Sequence, residues 1–351
     1  MKILVIRLKQ IGDALISLPV CESLRRTYPH AQIHYLVYEH IAPLFENHPA
    51  IDKVITFTQS DRKYKLGYFQ KMMSLRRERY DIAIDLITVP ISAITAYISG
   101  APVTIGFDKG KLRSRLYSTR VKHMPELGAR DSKLAILGGL SDDVALDRTM
   151  RVCLRAEEQL KMQTCMRQAG IDTDRPVFMF SPISRLGLKN WPAEYFVTLI
   201  QKTLNTVDGQ AVLIWGPGER ETVHAIAQKA GMPDRVFVNI ETPGLRDLAA
   251  LAANCALFIG NDSGPRHVAE AVGIRTFTIF APEVRKTVWL PNESVRHRAV
   301  DMTDLLQIDN EQWFARRDEF AQQSAKYYSS MTPEFVFEHL RSTLTTIAQG
   351  K

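Results

Sequence analysis

Cysteine is scarce and badly placed for cross-linking. The four in the chain, Cys21, Cys153, Cys165 and Cys255, form no CxxC pair and have no histidine at finger spacing. That argues against a disulfide framework or a structural zinc module and fits a reducing cytosol. Long apolar runs are also missing: nothing reaches the ~18 uncharged apolar residues of a membrane span. The opening MKILVIRLKQIGDALISLP is broken by Arg7 and Lys9, so it is neither a signal peptide nor a span. The sequence has no GxxxxGK[ST], HExxH, GxSxG or GxGxxG, leaving P-loop, zincin, serine-hydrolase and nicotinamide or flavin chemistry without motif support. Asp172-Thr173-Asp174 is formally a DxD, but Arg175-Pro176 follows it, and it reads as a turn. No metal site is expected.

What is present is a globular composition with unevenly spread charge. Apolar residues make up 45% and charged residues 24% of 351 positions. At ~100–200 residues per domain this makes about two domains, each able to bury its own core. Of the formal charge of +7, residues 1–130 carry +9 (20 Lys and Arg against 11 Asp and Glu) and residues 131–351 carry −2 (25 against 27). The basic clusters are Arg62, Lys63, Lys65; Arg76, Arg77, Arg79; and Lys109, Lys111, Arg113, Arg115, Arg120, Lys122. Such a surface suits nucleic acid, an anionic membrane or an anionic substrate, or it simply keeps the chain soluble. Nucleic acid is the least supported partner, because no recognition-helix, finger or RNP pattern accompanies the charge.

Short apolar runs alternate with helical patterns along the chain. The runs are Ile3–Ile6, Ile33–Val37, Val54–Phe57, Ile82–Ile84, Val177–Phe180, Val212–Ile214, Val236–Val238, Ala256–Ile259 and Phe277–Phe280. Runs apolar on both sides suit parallel strands covered by helices. Helices are predicted at 13–27, 64–79, 155–169, 193–206, 218–230, 244–253, 264–272, 311–328 and 333–347. The class is therefore α/β, with doubly wound sheets. The regular spacing breaks between about 107 and 153, where a basic loop and a helix around 131–139 are expected. Two Rossmann-like halves follow, residues 1–155 and 156–325, with a C-terminal helix at 326–351 expected to pack back on the first. Ligands are expected at the carboxyl ends of the strands, facing a central cleft.

Four segments stand at strand ends. In RLKQIGDALISLP, Asp13 is either a site carboxylate or an ordinary helix cap. In SPISRLGLKNWP, Ser181 and Ser184 offer hydroxyls and Arg185 and Lys189 offer cations that could hold phosphate; solvated loop charges with Trp191 as a core anchor are the plain alternative. WGPGE ends in Glu219, placed to accept hydrogen bonds from a ribose or merely to begin a helix. NDSGPRH brings Asp262, Ser263 and the N–H groups near Gly264 to one helix start, with His267 one turn on. A helix N-terminus of this kind binds anions such as diphosphate, and simple capping is the alternative.

Those segments, with YPHAQIHYLV, resemble glycosyltransferase family 9, the lipopolysaccharide heptosyltransferases, in the same order from about residue 2 to 292, and MTPEFVFEHL near the end fits as well. The resemblance implies a GT-B architecture, with acceptor bound by the first domain and ADP-heptose by the second. It implies Asp13 as general base and Lys189 on the donor phosphate. Asp262, Ser263, Gly264 and His267 would hold diphosphate and sugar, and Ser184, Arg185 and Glu219 complete the donor set. The basic run implies Arg113, Arg115, Arg120 and Lys122 as acceptor ligands for the anionic inner core. No metal or cofactor is required. An acceptor on lipid A implies a cytoplasmic enzyme peripheral to the inner membrane. The sequence departs from the family pattern at Leu86-Ile87-Thr88, where glutamine is often found, at Arg266, where methionine is frequent, and at Phe280-Ala281-Pro282 in place of FGP; it also lacks the cysteines many relatives carry near the tail. A GT-B enzyme using another nucleotide sugar and a non-catalytic sugar-nucleotide-binding module are the alternatives.

Overall fold

The computed structural model describes residues 1–63, 65–109, 112–184, 190–290 and 294–350. The chain divides into two compact units, Met1–Cys153 and Leu154–Lys351. The first contains a parallel sheet of β1 (Lys2–Ile6), β2 (Gln32–Tyr38), β3 (Lys53–Phe57), β4 (Ile82–Asp85), β5 (Val103–Asp108) and β6 (Thr119–Lys122), in the order β3-β2-β1-β4-β5-β6. The second contains β7 (Val177–Ser181), β8 (Gln210–Leu213), β9 (Val236–Phe237), β10 (Leu257–Asn261), β11 (Arg275–Ile279) and β12 (His297–Val300), in the order β12-β11-β10-β7-β8-β9. Counted within each unit, both are the doubly wound order, whose direction of winding reverses beside the first strand. The reversal lies between β1 and β4 in one unit and between β7 and β10 in the other.

The central strands form because their apolar residues have cover on both faces. Ile3, Leu4, Val5 and Ile6 are all fully buried, as are Leu257, Phe258 and Ile259. Every predicted apolar run lies on a strand or overlaps one. Three strands are additional: β5, β6 and β12. The basic loop expected from residue 107 starts within β5 and includes β6, where Arg120 and Lys122 alternate with less exposed neighbours, as an edge strand does. The helix predicted at 13–27 is two helices, Ile11–Ile16 and Leu18–Thr27. Pro19 lacks the N–H that would continue the first ladder, and the Ser17 hydroxyl donates to the Asp13 carbonyl at 2.8 Å. Helix Pro90–Ile98 was not expected.

The C-terminal helix contributes to the second unit's core. Pro333–Ala348 is an element of the second unit: Val336, Phe337, Leu340 and Leu344 share one buried cluster with Phe178, Phe180, Trp191, Phe196 and Leu199. Its apolar face completes the core around β7. Among the described residues, no helix is long and apolar enough to cross a membrane.

Candidate functional site

In the first unit, the loops after β1 and β4 flank the reversal of strand order, where open α/β sheets bind ligands. Asp13 is not a helix cap. Its helix starts at Ile11 with Gln10 as cap residue and no side-chain cap bond. The Asp13 carboxylate is instead held by Arg7, whose Nη2 donates to Oδ1 at 2.7 Å, while Nε donates to the Asp13 carbonyl at 3.1 Å and Nη1 to the Leu86 carbonyl at 2.8 Å. The Arg7 side chain is 3% exposed and that of Asp13 is 32%. One carboxylate is thus fixed from behind by a buried guanidinium, its geometry set and its outer side toward solvent.

The β4 loop supports this arrangement. Asp85 is buried and accepts from the Ile87 and Thr88 N–H groups at 2.8 and 3.1 Å and from the Tyr117 hydroxyl at 2.6 Å; burial nevertheless pushes its pKa up. Thr88 sits at φ +59°, a costly backbone for a β-branched residue. It is held there by a bond from Phe107 N–H to its hydroxyl at 3.0 Å. Lys109 donates to the Ile87 carbonyl at 2.6 Å. Lys133 lies over the Phe107 ring at 5.2 Å, and burial, helped by Arg7 and Lys109, pushes its pKa down to about 8. From the sequence, Lys109 was read only as part of a basic cluster, and Arg7 and Lys133 were not singled out as site residues. Arg7 could have been, since it follows the strand six residues before Asp13; Lys133 is brought near by packing alone.

The four expected acceptor residues do not form one group. Arg113 is half-buried in the turn Leu112–Leu116, its charge felt by Lys109 and Tyr117. Arg120 and Lys122 alternate outward on edge strand β6. Arg115 faces a separate hollow with Arg76, Tyr97, Ala101, Pro102 and Ser118, residues that precede β5 and β6 instead of following them.

In the second unit, three loops at the carboxyl ends of neighbouring strands carry the expected donor residues. A Cβ at Gly260 would lie 2.5 Å from the Ser181 carbonyl, so only glycine lets β10 approach β7 this closely. Asn261, fully buried, ties the loops together: its Nδ2 donates to the Pro182 carbonyl at 2.8 Å and its Oδ1 accepts from Trp191 N–H at 3.2 Å. The buried Ser184 has its N–H bonded to Asn190 Oδ1 at 2.6 Å. Trp191 is a core anchor, 1% exposed, its indole N–H bonded to the Met331 carbonyl at 2.8 Å.

After β10, Ser263 is the cap residue of helix Gly264–Ala271, yet its hydroxyl makes no capping bond. The oxygen is buried with no hydrogen-bond partner among the described residues. Such an orphan demands explanation, and here it stands beside the first free N–H groups of a helix. Asp262 and His267 are buried alongside, and His267 meets the Trp289 ring edge at 5.8 Å. Beneath them lies Arg266, fully buried. Glu219 turns its carboxylate on its own loop, Oε2 accepting from Gly216 N–H at 2.7 Å. Arg185 and Lys189 lie outside the described residues. Among the described residues, no group of three or more His, Cys, Asp or Glu is placed to hold a metal ion.

Comparison with known proteins agrees with this architecture. Residues 69–303 match the model of glycosyltransferase family 9 (heptosyltransferase). Lipopolysaccharide heptosyltransferase 3 of Escherichia coli is 27% identical over 277 residues, 77% of this chain and 80% of the relative. Lipopolysaccharide heptosyltransferase 2 of Salmonella typhimurium is 26% identical over 359 residues, covering 98% and 99%. Among solved structures, a family 9 glycosyl transferase from Veillonella parvula superposes with a TM-score of 0.85 at 22% identity, covering 98% of this chain and 97% of the other. The E. coli ADP-heptose lps heptosyltransferase II gives 0.76 at 22% identity, covering 99% of both. These two likenesses establish the shared fold.

Proposed function

The chain belongs to glycosyltransferase family 9, and from that premise we propose that it transfers a heptose from ADP-heptose to the inner core of lipopolysaccharide, either Kdo-lipid A or a heptosylated core, with inversion at the anomeric carbon. It is a heptosyltransferase of lipopolysaccharide biosynthesis by family; the donor nucleotide, the acceptor and the residue roles are the proposal. An acceptor hydroxyl gives its proton to Asp13 as its oxygen bonds the anomeric carbon, and the bond to the diphosphate breaks with ADP taking the electron pair. A general base is the one proton acceptor this step requires. Negative charge grows on the departing diphosphate, where the Ser263 hydroxyl, the helix N–H groups at Gly264 and, by family resemblance, Lys189 would meet it. Asp262 and His267 would orient the sugar, and Ser184, Arg185 and the remaining Glu219 oxygen the nucleotide. Arg113, with Arg120 and Lys122 of the edge strand, would receive the anionic acceptor.

The observation that carries this reading is the buried, unpartnered Ser263 hydroxyl at the start of an eight-residue helix. Calorimetric titration with ADP, UDP, GDP and ADP-heptose, without added metal, tests it. Selective binding of ADP and ADP-heptose is expected. A preference for UDP or GDP would replace the donor, and no nucleotide binding would overturn the proposal.

We further propose a cytoplasmic enzyme peripheral to the anionic inner membrane. Besides its basic residues, the first unit exposes Phe69, Tyr97 and Leu112. Basic groups near such a surface contribute about 1 kcal/mol each, and salt screens them. The protein should float with phosphatidylglycerol vesicles at low salt and be released as salt rises; attachment indifferent to salt would rule out electrostatic docking.

A further inference from the structure

A carboxylate is an awkward neighbour for a diphosphate. Asp262 is 6% exposed and immediately precedes Ser263, the cap of the helix at which the anion is proposed to bind. Two anions packed side by side with little water between them repel each other strongly. Arg266 supplies a counter-charge. Its Nε lies 3.7 Å from Asp262 Oδ1 and its Nη1 3.2 Å from Glu270 Oε2, one turn away on either side. Its Nη2 lies 3.3 Å from both ring nitrogens of His267 and 3.5 Å from the Trp289 carbonyl. The guanidinium also sits over Phe280, 5.8 Å from the ring centroid. With 0% exposure, this cation cannot trade its partners for water.

We propose that Arg266 is a positioning residue that offsets the charge of Asp262 from below, so that a nucleoside diphosphate can occupy the helix N-terminus next to that carboxylate. The inference rests on the donor-site reading above and deepens it. The guanidinium need not touch the ligand. It contacts Asp262 through Nε and His267 through Nη2. Glu270, one turn further from the helix start, shares the same guanidinium and keeps it seated. Arginine suits this place because its charge is permanent.

The test is a double-mutant cycle read as ADP affinity by calorimetry on the full chain. R266M is expected to weaken ADP roughly 10- to 100-fold, the range of coupled neighbouring charges. D262N should bind ADP at least as well as wild type. R266M/D262N should return to within a few-fold of D262N, because the repulsion that Arg266 offset is gone. R266K, which keeps the charge, should retain most of the affinity, whereas a purely packing role would not be rescued by lysine. Wild-type affinity in R266M, or a double variant as weak as R266M, overturns the proposal. If R266M is too unstable to titrate, two comparisons decide: R266K against wild type, and R266M/D262N against D262N. A large loss in either overturns it. Wild-type protein that binds no nucleoside diphosphate overturns the donor-site reading itself, and that result precedes any comparison of variants.

Discussion

Replacing Asp13 with asparagine should lower turnover about 10²–10⁴-fold, the usual contribution of a positioned general base, while nucleotide affinity stays at the wild-type level. Asparagine keeps the shape and can still accept from Arg7, so the loop retains its course, but it cannot take a proton. The asymmetry of Asp13 makes the expectation specific. Its inner side is fixed by the Arg7 contacts at 2.7 and 3.1 Å, and its side chain is still 32% exposed. Release of ADP in the presence of donor and acceptor measures turnover, and calorimetry on the same preparation measures binding. Full turnover by D13N would move the base elsewhere. Loss of donor binding along with turnover would make Asp13 a structural residue of the site.

Trp191→Ala should destabilise the second unit by about 3–5 kcal/mol, as removal of a fully buried aromatic does. The ring packs edge-on against Tyr195 and Phe196, at 5.4 and 5.0 Å between centroids. Its indole N–H satisfies the Met331 carbonyl, so truncation leaves a cavity and a buried acceptor without its donor. Trp191→Phe keeps part of the packing and should cost less. Denaturant unfolding of a chain with two compact units need not be two-state, so the loss is to be sought in the transition that belongs to the second unit. A loss below ~1 kcal/mol for the alanine variant would show that the site relaxes around the gap.

The buried strands were readable because burial on both faces forces an unbroken apolar run, and Ile3–Ile6 and Leu257–Ile259 have one. β5, β6 and β12 were harder. β6 alternates basic and apolar residues, and β5 contains Gly106, which reads as a turn residue. Its real purpose is spatial: a Cβ there would fall 2.4 Å from the Tyr117 ring. At the site, the loops were legible from glycine, proline and acidic residues just after apolar runs. The partners of those residues were not. That Asp13 meets Arg7 instead of capping a helix, that Asn261 stitches two loops together, and that Arg266 turns inward are facts of side-chain direction, which spacing along the chain does not encode. The positive charge of the first third was evident as a total; its partition between the β1 and β4 loops, the edge strand and the Arg115 hollow needed three dimensions.

The placement of helix Pro333–Ala348 has a consequence for synthesis. Every element of the first unit precedes residue 153, so that half can fold while the remainder is still being translated. The second unit cannot. Its core, begun by Phe178 and Phe180, includes Val336, Phe337, Leu340 and Leu344, and those side chains emerge from the ribosome long after the strands they cover. A nascent chain paused near residue 300 would thus pair a finished basic half with a second unit whose apolar floor is still open to water.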